Sequence, residues 1–175
     1  MPTVNSLSLA RDVMTRDMIV IGPDTSLLDV HRLFIEEEIH GAPVVDEEDQ
    51  VLGVVSTIDL LRATRDRADV DSTSSTYYRD GVGAPGVDWA ELAEDADERV
   101  KSMTASDVMT RELVRVSPEA TLAEVARTML AQHVHRVLVV AQGNLVGVIT
   151  TFDLLRVLAG ATLPETREPT GYARS

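Results

Sequence analysis

Cysteine is absent from the 175 residues. That excludes disulfides, thiolate nucleophiles and cysteine-based metal sites, and it fits a reducing compartment, with the cytoplasm as the expected location. Aromatic residues are scarce at 3%, so a core drawn from the 44% hydrophobic content has to be aliphatic. No apolar run approaches the roughly 20 residues that span a bilayer. The N-terminal MPTVNSLSLA has neither a basic region nor a long apolar stretch, so no signal peptide is expected. Positive charge is also short: 16 Lys and Arg stand against 29 Asp and Glu, a net charge of −13. Such a surface disfavours nucleic acid and anionic membrane and favours solubility. It still leaves room for a small anion held by a few local cations. No nucleophile has an evident base beside it, so an enzyme is not expected.

What the chain does have is a repeat. DVMTR occurs at Asp12–Arg16 and again at Asp107–Arg111, and GVVSTIDLLR at Gly53–Arg62 is echoed by GVITTFDLLR at Gly147–Arg156. Comparing 12–45 with 107–140 and 53–62 with 147–156, 19 of 44 positions are identical. This is a duplicated unit of about 50 residues, too short to fold well alone and able to share a core with its twin.

Each copy reads strand, helix, strand, strand, helix, an α/β (α+β) pattern. In the first copy Met18–Ile21 is a short apolar strand, Pro23 and Asp24 break it, and Ser26 caps a helix bearing Leu27, Val30, Leu33 and Phe34 on one face. Pro43–Val45 and Val51–Val55 form a hairpin around DEEDQ, and a second helix starts near Ile58. The second copy repeats the steps at Val114–Val116, Thr121–Gln132, Leu138–Val140, Leu145–Ile149 and from about Thr151. The boundaries expected are 1–63 for copy 1, 64–104 for an insert, 105–160 for copy 2 and 161–175 for a frayed tail. Within the insert, Asp69–Gly86 is rich in Ser, Thr, Gly and Asp and is expected to be a mobile loop. Asp88–Met103 carries a capping-box pattern and an apolar stripe of Trp89, Leu92, Ala96, Val100 and Met103, so it is expected to be a helix that packs on the core, on a second subunit or on a partner.

Ser/Thr-x-x-Asp closes both copies, as Ser56 with Asp59 and Thr150 with Asp153. An Asp in the first turn of a helix can accept from both hydroxyls of a ribose, and the hydroxyl with the free helix amides can meet phosphate or ribose oxygens. The same pattern is also an ordinary helix cap. Before the middle strand stand IHGAP (Ile39–Pro43) and VHRVL (Val134–Leu138), in which Gly41 is matched by Arg136 and Pro43 by Leu138. His133 and His135 are two residues apart, but no carboxylate or thiol partner is evident, so no metal site is expected.

Taken together, these motifs resemble a CBS domain pair, named after cystathionine β-synthase, over about 12–62 and 107–156. The resemblance implies two β-α-β-β-α units packed as a pseudo-twofold pair with two clefts, and a homodimer built through helices. It also implies a ligand of the adenosyl class: AMP, ADP, ATP or S-adenosylmethionine, with magnesium accompanying ATP. The His135–Arg136 pair resembles the pair by which the AMP-sensing γ subunit of the AMP-activated kinase holds phosphate. In this family the Thr after the repeated Met reaches the cleft completed by the other copy's Asp. The frames implied are Thr15, Ile19, Ile39 and His40 with Thr150 and Asp153, and Thr110, Val114, Val134, His135 and Arg136 with Ser56 and Asp59. The second frame, with its Arg, is expected to take the more phosphorylated ligand. The function implied is an energy- or metabolite-sensing regulatory module acting on an unidentified client protein. The alternative is an interaction scaffold or client-enzyme modulator without strong nucleotide binding; the layout of two copies with a Trp-bearing insert resembles the plant CBS-pair proteins that modulate thioredoxin systems.

Overall fold

The computed structural model describes residues 8–64, 76–78 and 101–160, a mixed α+β chain with small sheets and short helices. The elements are α1 (Ala10–Val13), α2 (Leu27–Glu36), β1 (Gly41–Val45), β2 (Val51–Ser56), α3 (Thr57–Thr64), a 3₁₀ turn (Thr76–Tyr78), α4 (Ala105–Val108), β3 (Arg115–Val116), α5 (Leu122–Gln132), β4 (Arg136–Ala141), β5 (Asn144–Thr150) and α6 (Thr151–Leu158). The expected helix with Trp89, Leu92, Ala96 and Val100 lies outside the described residues, as does the tail beyond residue 160. No helix among the described residues is long and apolar enough to cross a membrane.

The described residues divide into two compact units, and each takes its opening segment from the other copy. The first unit holds 19–64, 76–77 and 101–113, so copy 1 is joined by the DVMTR of copy 2. The second holds 8–18, 78 and 114–160, so copy 2 is joined by the DVMTR of copy 1.

In the first unit β1 and β2 form an antiparallel hairpin, with Gly41 opposite Ser56 and Val44 opposite Gly53. Ile21 adds a parallel bridge to Val44 on one edge, and Thr110 an antiparallel bridge to Val54 on the other. The apolar stripe of α2 (Leu27, Val30 and Phe34) is buried with Ile21, Ala42, Val44, Val55, Leu60 and Met109. Burying each of the larger aliphatic side chains stabilises the unit by about 1.5–3 kcal/mol.

The second unit repeats this plan. Its sheet runs β3-β4-β5, parallel then antiparallel, with Arg136 opposite Thr150 and Val139 opposite Gly147, and Thr15 bridges Val148 at the edge. The expected strand Met18–Ile21 reduces to the single bridge at Ile21, and its counterpart to Arg115–Val116. Both stretches are too short for a long ladder beside the hairpins.

The repeated DVMT proves to be a helical turn followed by a bridge. Asp12 accepts from the Leu9 N–H at 2.9 Å and Asp107 from the Thr104 N–H at 2.8 Å, so each carboxylate caps its own turn. The following Met then lies flat on a glycine of the opposite hairpin. A Cβ on Gly147 would stand 2.5 Å from Met14 Sδ, and one on Gly53 would stand 2.7 Å from Met109 Sδ. Each Met–Gly fit seats the next residue, Thr15 or Thr110, on the strand edge. Thr15 exchanges backbone hydrogen bonds of 2.9 and 3.0 Å with Val148, and Thr110 exchanges bonds of 2.9 and 3.0 Å with Val54.

The stretch expected to be a mobile loop holds an anchored turn. Tyr77 and Tyr78 of Thr76–Tyr78 are 6% and 1% exposed. Polar composition around a turn does not reveal two aromatic side chains directed inward.

Candidate functional site

The hairpin of each unit runs directly into a helix, and the junction carries the candidate site. Ser56 ends β2 and Thr57 starts α3, while Thr150 ends β5 and Thr151 starts α6. Asp59 Oδ2 accepts from the Ser56 N–H at 2.8 Å and from its hydroxyl at 2.6 Å. Asp153 Oδ2 accepts from the Thr150 N–H and hydroxyl, both at 2.7 Å. The Ser/Thr-x-x-Asp element is therefore a helix cap, as one reading of the sequence expected.

It is not an ordinary cap. Ser26 and Asp29 make a related cap on α2, with the Ser26 hydroxyl donating to the carboxylate and accepting from the Asp29 N–H, yet that carboxylate is half exposed. Asp59 and Asp153 are only 5% and 4% exposed. With Ser56 they are the buried polar residues found among the described residues. Burying a carboxylate is costly unless partners compensate. The cap uses one oxygen. The other, Oδ1, faces an arginine one turn on: Arg62 for Asp59 and Arg156 for Asp153, each at 3.5 Å. That contact is long, so Oδ1 keeps capacity to accept a further hydroxyl. Sequence reasoning passed over these two arginines, although both sit in the repeated DLLR at i+3 from the Asp.

Burial pushes the Asp59 carboxyl above its ordinary value, and the two Ser56 hydrogen bonds and then Arg62 offset part of that. The carboxylates are thus held in place by their own caps and by packing, ready to accept without reorganising.

The remaining expected residues fall on both units. In the first unit, Ile39 packs half-buried against the core, His40 is exposed, Ile19 is half-buried, and Thr110 is bridged two residues before Ser56. In the second, Thr15 is bridged two residues before Thr150, Val114 accepts from the Leu138 N–H at 3.0 Å, Val134 is buried, His135 is exposed, and Arg136 is half-buried. Each crossed frame draws residues from both units. Within a single unit the structure brings together one Thr, one hydroxyl cap and one buried Asp. The backbone around the two histidines is duplicated: Thr57 N–H donates to the His40 carbonyl at 3.0 Å, and Thr151 N–H to the His135 carbonyl at 2.9 Å. No group of three His, Cys, Asp or Glu placed to hold a metal occurs among the described residues.

Beside this junction in the second unit lies an apolar groove of about 490 Å³ between α5 and α6, with Leu130, Val134, His135, Leu155 and Leu158 in its lining. Leu130, Phe152, Leu155 and Leu158 are 57–74% exposed, which is unusual for large apolar side chains grouped on two adjacent helices. In the first unit Ile35, the repeat counterpart of Leu130, is 62% exposed.

Two short α+β units, each closing on a buried Ser/Thr-x-x-Asp cap, make up a tandem module. The model of the CBS domain matches residues 10–66 and 105–160, and the chain belongs to that family. It is 30% identical over 156 residues to the uncharacterized protein MJ1426 of Methanocaldococcus jannaschii, covering 87% of this chain and 92% of that protein. It is also 30% identical over 162 residues to the chloroplastic CBS domain-containing protein CBSX2 of Arabidopsis thaliana, covering 89% of this chain and 65% of that one. The structure of CBSX2 in complex with AMP aligns with a TM-score of 0.62 at 25% identity, over 87% of this chain and 96% of the other. The CBS domain pair of protein MJ0100, solved with 5′-methylthioadenosine and S-adenosyl-L-methionine, aligns with a TM-score of 0.58 at 20% identity, over 88% and 98% of the two chains, a likeness of fold.

Proposed function

We propose that this chain is a regulatory, non-catalytic module that binds an adenosyl compound and passes the resulting change in population to a partner protein. The observation that carries the reading is the pair of buried carboxylates. Asp59 and Asp153 are each fixed by a cap through Oδ2 and offer Oδ1 to a ribose hydroxyl. Thr15, Thr110, Ser56 and Thr150 supply further hydroxyls and helix-start amides for ribose or phosphate. Ile19, Ile39, Val114 and Val134 supply apolar surface for adenine. His40 and His135 stand at the strand entries, and Arg136 supplies the planar donor fork that suits phosphate. AMP, ADP, ATP and S-adenosylmethionine share the adenosine part addressed by these groups, and magnesium accompanies ATP. AMP bound to CBSX2 supports the ligand class. The exposed apolar face of α5 and α6 supports a homodimer, in which a second copy covers Leu130, Leu155 and Leu158.

A thermal-shift panel of adenosine, AMP, ADP, ATP and S-adenosylmethionine tests the reading. A ligand at a hundred times its Kd adds about 2.7 kcal/mol, a rise of roughly 5–10 °C for a chain of this size. The same apolar face favours a second reading, an interaction scaffold for a client protein. No shift across the panel selects it.

A further inference from the structure

Position 41 of copy 1 corresponds to position 136 of copy 2, and both begin the middle strand. Gly41 pairs with Ser56 and Arg136 with Thr150, so each stands directly across from the hydroxyl that caps the ligand-facing helix. The two positions therefore hold the same register in their hairpins. In copy 2 that side chain is a guanidinium. In copy 1 the space is taken. A Cβ on Gly41 would stand 2.9 Å from Tyr77 Cδ2, 2.8 Å from the Val55 carbonyl oxygen and 3.3 Å from Ser56 Cα. Tyr77 comes from the segment between the two copies, belongs to the same unit as Gly41, and is 6% exposed.

We propose that Tyr77 is a specificity-determining residue. Its ring occupies the place over Gly41 where copy 2 carries Arg136, and it gives the copy-1 entry an aromatic wall in place of a phosphate-binding cation. This rests on the adenosyl reading above and deepens it. A phosphate next to such a wall gives up water and gains no charged donor, which is costly. The ribose and base of an uncharged adenosyl compound lose nothing by it, and an aromatic ring packs well against flat apolar surface. The copy-1 entry thus selects adenosine-like ligands without phosphate, and the copy-2 entry selects nucleotides. An arginine cannot simply be placed at position 41, because the ring and the Val55 carbonyl both stand in the way of its Cβ.

The test titrates wild type, Tyr77→Phe, Tyr77→Leu and Tyr77→Arg with adenosine and with AMP by calorimetry, after melting curves on each variant. In wild type, adenosine fills two sites per chain and AMP one tight site. Tyr77→Arg brings a second AMP site at least about tenfold tighter than in wild type, since a cation replaces the ring. Tyr77→Phe keeps the ring and the preference for adenosine. Should Tyr77→Arg fail to fold, Tyr77→Leu decides, because loss of the ring narrows the adenosine-over-AMP preference at that site by about tenfold. An adenosine-over-AMP preference unchanged in both Tyr77→Arg and Tyr77→Leu overturns the assignment while leaving the adenosyl reading intact. Failure of wild type to bind either compound overturns the adenosyl reading and the assignment with it.

Discussion

Asp59 Oδ2 receives two hydrogen bonds from one residue, the Ser56 N–H at 2.8 Å and the Ser56 hydroxyl at 2.6 Å. The pair is buried at the junction of β2 and α3, so one carboxylate serves as cap through Oδ2 and as candidate site through Oδ1. Asp59→Ala then removes both roles. The lost cap alone costs about 0.5–2 kcal/mol. The buried position adds the cost of a cavity and of two lost hydrogen bonds to Ser56, each worth about 0.5–1.5 kcal/mol. Asp29→Ala on α2 costs only the cap, because the Asp29 carboxylate is exposed to water. Urea unfolding of the two variants should separate them, with Asp59→Ala the less stable.

The pH dependence of Asp59 has a definite sign. Burial raises the folded-state carboxyl above its ordinary value of 3.8. Between those two values the folded chain holds the proton more tightly than the unfolded chain. The contribution of this group to stability therefore falls as pH rises through that window, and it favours the fold below it. Ligand binding runs the other way, because a ribose hydroxyl needs the ionised acceptor. Binding should weaken on acidification, beginning at a higher pH than it would for an unperturbed Asp. Asp59→Asn should flatten both trends, as read by chemical unfolding and by titration between about pH 4 and 7.

The fit of Met14 on Gly147 leaves no space for a methyl group, since a Cβ there would stand 2.5 Å from the sulfur. Gly147→Ala should destabilise by about 1–3 kcal/mol through overpacking. Combining it with Met14→Ala should cost less than the sum of the single changes, because the second substitution removes the clash. Gly53 and Met109 should behave alike. A double-mutant cycle by thermal or urea unfolding measures the coupling.

Much of this was legible in the sequence, for physical reasons. The spacing of Leu27, Val30 and Phe34 gives α2, the β-branched runs around polar turns give both hairpins, and the duplicated Ser/Thr-x-x-Asp places both caps. Other features were not legible. The turn at Ala10–Val13 is too short for a periodic signal, and its cap is completed by a Leu9 backbone N–H that no side-chain pattern records. Arg62 and Arg156 stand at i+3 from Asp59 and Asp153, but only the burial of those carboxylates, a tertiary property, singles the pairs out. The inward direction of Tyr77 depends on a tertiary contact with Gly41, and one sequence carries no trace of it.

His133 ends α5 in the left-handed conformation with φ of 53°, and Glu38, its counterpart in copy 1, also has φ of 53°. A side chain with a Cβ is strained there, whereas glycine is not. His133→Gly and Glu38→Gly should each stabilise the chain by about 0.5–1 kcal/mol, read by the midpoint of urea unfolding.

The apolar face of α5 and α6 makes a prediction about assembly. Leu155 lines the groove and is 57% exposed. Leu155→Glu should leave the unit folded, since this side chain is outside the core, and should shift the chain from dimer to monomer. Light scattering coupled to size-exclusion chromatography reads that change directly.

The central claim is that Asp59 and Asp153 hold the ligand. Its most direct measurement is calorimetric titration of Asp59→Asn, Asp153→Asn and the double variant with adenosine, the part shared by the adenosyl compounds and expected to fill both sites. Each single change should abolish or weaken by at least tenfold one binding event per chain, and the double variant should show none, while all three remain folded by their melting curves. Wild-type affinity and stoichiometry in the folded double variant would contradict the account.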